Sequence, residues 1–191
     1  MNLIADTVFL AWAAEVGLVP DPRYPESEQL VFAGALDVYQ VWLPPREPSA
    51  LPRFLTTAIK LASPSGPYRL RLRGGGPFCG DPSSTREAII ARVLRSSSVP
   101  PDASGALEFT DREWDSVLLI ASTYYVFGYT VRTDLELVTS ERSCSLLFGH
   151  HGELDVHFGS GAKLDEFAAG MRQEGYAPAG EELDAVDETL H

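Results

Sequence analysis

Three of the chain's four histidines fall within residues 146–158, LLFGHHGELDVHF, and two acids stand between them. His150, His151 and His157 with Glu153 and Asp155 are residue types that bind metals or shuttle protons. Their spacing argues against one shared site. If the run is extended, six residues separate His151 from His157, a span of about 20 Å at strand rise. Metal–nitrogen bonds are about 2 Å long, so ligands of one ion must converge. On strand parity Leu154, Val156 and Phe158 face the core, while Glu153, Asp155 and His157 share the outer face. Two reduced candidates remain. One is the Gly-His-His-Gly turn as an exposed contact point. The other is His157 with Asp155 and an acid of a neighbouring strand, such as Glu136.

A second constellation is YRLRLRG at residues 68–74. Tyr68, Leu70 and Leu72 alternate with Arg69, Arg71 and Arg73, the period of a half-buried strand. Three arginines about 7 Å apart suit an acidic or phosphate-bearing partner. Nucleic-acid readers add aromatics on the same face or a basic overall charge. Here Tyr68 points the other way and the chain is acidic. An edge strand whose arginines deter aggregation and pair with the protein's own acids is the expected arrangement.

The loop RGGGPFCGDPSST (73–85) lies where a phosphate loop would lie, between a strand and a helix. It fails both phosphate patterns. Asp81-Pro82 follow Gly80 where a Walker loop needs Lys and Ser or Thr, and Cys79 stands where GxGxxG needs its last glycine. Cys79 as a nucleophile would need a base, and the histidines lie 70 residues away or more. Asp111, Glu113 and Asp115 sit at a helix start, where acids complement the dipole. No zinc, EF-hand or hydrolase signature occurs. The expectation is therefore no cofactor and no metal.

These residues must be held by recognisable elements. Residues 2–16 are apolar and Ala-rich and predict a helix buried over much of its circumference. LVFAGALDVYQVWLPP (30–45) is strand-like, with Gly34 as a turn or bulge. Residues 49–63 show helical spacing. Capping boxes at Ser84–Glu87 and Thr110–Glu113 open two more helices. After Gly128 the period becomes two, and 134–138, 144–148 and 153–158 predict a three-stranded meander. Residues 161–176 close with a helix.

The order is α β α β α, linker (96–105), α β β β α. Strands in separated groups with short antiparallel connections make this α+β. A C-terminal antiparallel β-meander packs with helices, and an N-terminal α/β region contributes further strands. The expected units are residues 1–98, residues 105–178 and an acidic tail, 179–191, standing off one compact body.

A 191-residue chain that is 45% hydrophobic and 22% charged supports a folded core and excludes wholesale disorder. No apolar run reaches the ~20 residues of a bilayer span. The start carries Asp6 and Glu15 without a basic segment, so it reads as native helix rather than signal peptide. Cys79 and Cys144 are expected as free, buried thiols of a cytoplasmic protein. The net charge of −12 is uneven. Residues 46–95 hold nine Lys/Arg against three acids, leaving six Lys/Arg and twenty-four acids elsewhere. Such a chain disfavours nucleic acid and attracts basic proteins.

The leading expectation is a non-enzymatic acidic binding protein of bacterial cytoplasm, of the immunity or antitoxin type, that neutralises a basic toxin. Its contact residues would include His150, His151, Glu153, Asp155 and His157. A small metal- or histidine-dependent enzyme using His150, His151 and His157 is the first alternative. A subunit of a larger assembly, touching an acidic partner through Arg69, Arg71 and Arg73, is the second.

Overall fold

The computed structural model describes residues 1–25, 28–80, 84–131, 134–139, 144–149 and 151–181. Its strands are β1 (Asn2–Ile4), β2 (Leu18–Pro20), β3 (Leu30–Phe32), β4 (Tyr39–Trp42), β5 (Tyr68–Leu72), β6 (Ala106–Phe109), β7 (Leu135–Thr139), β8 (Cys144–Phe148) and β9 (Leu154–Phe158). Its α-helices are α1 (Asp6–Glu15), α2 (Leu51–Ala62), α3 (Thr85–Ser96), α4 (Trp114–Val131) and α5 (Gly161–Gln173). Seven strands form one antiparallel sheet in the order β1-β6-β5-β7-β8-β9-β4, and β2 and β3 form a separate two-stranded sheet. The fold is α+β, and the expected meander is β7-β8-β9.

Strand alternation gives the large sheet two faces. Leu70, Leu72, Leu107, Leu137, Leu146 and Val156 point to one face, where Phe54 and Ile59 of α2, Leu94 of α3, Ile120 of α4 and Phe167 of α5 meet them. All are almost wholly buried. The other face is covered by α1 and the β2–β3 sheet, through a smaller cluster of Phe9, Ala13, Leu18, Leu30, Phe32, Ala106 and Val138. The sheet is thus a filling between two layers. This explains why all five residues of β7 and of β8 are buried, core-facing or not.

The helix starts follow their capping chemistry. Ser84 Oγ accepts from the Glu87 amide. Thr110 and Glu113 complete a reciprocal capping box ahead of α4. Glu113 also binds the N-terminal amine, tying the first residue to that helix start.

The N-terminal expectation needs correction. Residues 2–4 are a strand paired with β6, and the helix occupies only 6–15. That helix buries Phe9 and Ala13 alone, and Val8 is 59% exposed. It lies on a polar sheet face, so a single stripe suffices. Residues 30–45 are strand-like as expected, but β3 and β4 belong to different sheets. Gly34, at φ +77°, begins the connection between them. Within 96–105, Val99 and Ala103 are buried in the main core, and Phe78 N–H donates to Ala103 O. Of the acidic tail, residues 182–191 lie outside the described residues. Ala179 N–H donates to Val41 O at 2.8 Å, so the chain enters the tail along the β4 edge.

Candidate functional site

Residues of β5 place Arg69, Arg71 and Arg73 on the second face, as the alternation predicts. The edge-strand expectation is overturned, because β5 lies between β6 and β7 in the interior of the sheet. Each arginine therefore meets an acid supplied by a neighbour. Arg69 Nη2 lies 2.6 Å from Glu108 Oε2, and its guanidinium stacks 3.7 Å above the Trp12 ring. Arg71 donates from Nε to Asp6 Oδ1 at 2.7 Å and from Nη1 to Glu136 Oε2 at 3.2 Å. Arg73 Nη1 lies 2.7 Å from Asp134 Oδ2.

Arg71 is only 2% exposed. Burial works against its charge, yet Asp6 and Glu136 outweigh that cost and hold its pKa above the usual arginine value. Glu136 moves up as well. Its complete burial outweighs the stabilising Leu30 N–H and Arg71 contacts. A guanidinium fixed between two carboxylates joins three distant parts of the chain: α1, β5 and β7.

The described histidines of the run lie on different elements: His151 in a turn and His157 in β9. His150 lies outside the described residues. His151 is exposed in the turn before β9. His157 shares the second face with Asp155, but it is not an outer surface residue. It is 5% exposed, stacked on Tyr39 of β4 with ring centroids 5.3 Å apart. The covering loop supplies Gln29, whose Nε2 lies 3.2 Å from His157 Nε2. An amide nitrogen only donates, so His157 Nε2 accepts and the ring proton belongs on Nδ1. Burial lowers the His157 pKa to about 4; nearby Arg23 adds to the shift and Asp21 opposes it.

Asp155 is half-buried, and its Oδ1 is buried without a hydrogen bond. Burial, with Glu153 and Asp134 nearby, raises its pKa to about 6. Glu153 folds over Gly149, where an added Cβ would stand 2.2 Å from its Oε1. Tyr125 Oη anchors the same turn by donating to Gly152 O at 2.5 Å. Among the described residues no three His, Cys, Asp or Glu side chains are placed to hold a metal ion.

The glycine loop is shaped by acids rather than by phosphate. Gly75, at φ +63°, has the Asp6 carboxylate packed where a side chain would stand, 2.6 Å from an ideal Cβ. Asp81-Pro82 lie outside the described residues. Cys79 and Cys144 are buried and not disulfide-bonded, and Cys79 Sγ donates to Glu87 O at 3.4 Å. Sequence reasoning missed Asp6, Asp21, Gln29 and Glu108 as members of the polar face. Asp6 opens α1, Glu108 lies in the four-residue β6, and Asp21 and Gln29 lie in the chain between β2 and β3; only β-pairing and layer packing bring them to the sheet.

Comparison with protein-family models, with curated proteins and with solved structures returned no match. No helix among the described residues is long and apolar enough to cross a membrane.

Proposed function

We propose that this protein is a non-catalytic binding module for a basic protein, and that it works as an immunity-type neutraliser of a basic toxin. One observation carries the reading. The three β5 arginines, which the sequence offers as a basic patch, are committed to Glu108, Asp6, Glu136 and Asp134 within the fold. The acid surplus of the chain is therefore not offset by a basic strand at the surface. Exposed acids such as Glu15, Glu28, Asp102 and Asp165 remain to meet a partner. Complementary charge of this kind raises the encounter rate and selects against acidic proteins.

The experiment is capture of the native partner on the full chain at low salt, followed by binding measured against salt concentration. A stoichiometric basic protein whose association rate falls steeply with salt is the expected result. A stoichiometric acidic partner, or no stoichiometric partner, overturns the proposal.

A further inference from the structure

A cavity of about 330 Å³ opens between the start of α1, the chain around β2–β3 and the glycine loop after β5. Its polar lining is Asp6, Glu28 and Arg71. Its apolar lining is Leu10, Leu30, Pro20 and Pro25. Two carboxylates are held at the glycine loop: Asp6 against Gly75, and Glu28 Oε2 3.1 Å from where a Cβ on Gly74 would stand. Glu28 adopts a left-handed backbone, φ +54°, and makes no ion pair with any described residue.

Arg71 offsets Asp6, and shares its charge with Glu136 as well, so Glu28 is the carboxylate left without a cation among the described residues. Its Nη2 donates to no described residue and keeps solvent contact. The cavity thus combines apolar walls, two carboxylates and one guanidinium N–H that keeps solvent contact. That combination matches a flexible apolar stem ending in a cation, attached to a backbone that carries a carbonyl acceptor.

We propose that this cavity receives a lysine or arginine side chain of the basic partner, a reading that rests on the binding function proposed above. Glu28 takes the cation, with the Asp6 carboxylate, already bonded to Arg71, beside it. Leu10, Leu30, Pro20 and Pro25 pack on the methylene stem, and Arg71 Nη2 donates to the adjoining carbonyl. Small convergent pockets of this type are where interface energy concentrates.

The test uses the full chain, with Nα-acetyl-lysine methylamide and Nα-acetyl-arginine methylamide as probes and the norleucine analogue as the uncharged control. Backbone amide shifts are followed by NMR during each titration. Saturable shifts at Leu30, Gly74 and Gly75 with at least one cationic probe, and none with norleucine, are expected. Glu28→Lys should weaken that binding about tenfold or more, the scale of losing one close charge partner. Glu47→Lys, at an exposed acid outside the cavity, should leave it unchanged. Equal binding of norleucine, shifts confined to other residues, or unaltered binding by Glu28→Lys overturns the proposal. If the cavity ignores both cations while the chain still captures a basic partner, this proposal fails alone. If the cations bind and no basic partner is captured, the wider functional reading fails, and the cavity keeps its cation selectivity but loses its assigned occupant.

Discussion

The two faces of the seven-stranded sheet are built on opposite principles. The helical side is apolar, with Leu70, Leu137, Leu146 and Val156 of the sheet against Phe54, Ile59 and Phe167 of the helices. Burial there contributes in proportion to area removed from water, without regard to exact partner. The other side buries Arg71, Glu136, Ser145 and His157 beside a small apolar cluster. Buried charges contribute little net stability and penalise every arrangement that leaves one unpaired. The helical face supplies the bulk of the stability. The polar face fixes which N-terminal segment lies on which strand, and it borders the cavity lined by Asp6 and Glu28.

Breaking the Arg71 triad should give the largest effect. Arg71→Ala leaves Glu136 buried without its cation, and a loss of about 3–5 kcal/mol is expected from chemical denaturation. Arg71→Met combined with Glu136→Leu should recover most of it. A double variant as unstable as the single one would show that the pair is more than mutual compensation. On the helical face, Ile59→Ala should cost about 2–5 kcal/mol through lost burial and the cavity left behind. No single change elsewhere should restore it, because no paired partner exists.

Acid titration separates the faces further, since His157 and Asp155 pull stability in opposite directions. A histidine whose folded pKa falls to about 4 stays neutral in the fold while the unfolded chain takes up a proton below about 6.5. Its contribution is therefore lost as pH falls from about 6.5 to 4. An aspartate whose folded pKa rises to about 6 behaves the other way. It favours the fold below the unfolded value near 4, and that contribution is lost as pH rises to 6. Asp155→Asn should raise stability at pH 7 and steepen the loss on acidification. His157→Gln should flatten or reverse that loss. Identical pH profiles for both variants and the parent protein would remove this account of the polar face. The smallest effect is expected outside both faces: Arg53→Ala deletes an exposed pair with Glu174 and should leave the thermal midpoint unchanged within error.

Much of the scaffold is legible locally. The period of two across 135–158 and the helical spacing of 51–62 each survive in the fold. So does the capping box at Thr110–Glu113, because a cap is made by neighbours in the chain. β6 was not legible. Its four residues, ALEF, are too short for a pattern, and it exists because β1 and β5 pair on either side. The helix expected at 2–16 fails for the same reason: the edge of β6 takes residues 2–4 as a strand.

The candidate residues divide along the same line. Local alternation alone determined that Arg69, Arg71 and Arg73 share one side of β5 and that Asp155 and His157 share one side of β9, because side-chain direction in a strand has a strict period. Only the tertiary structure decided that this side is covered. It placed β5 between β6 and β7, laid α1 and the β2–β3 sheet across the arginines, and brought Gln29 over His157. Those are long-range pairings and layer contacts, chosen by which buried charges find partners, and no local period encodes them.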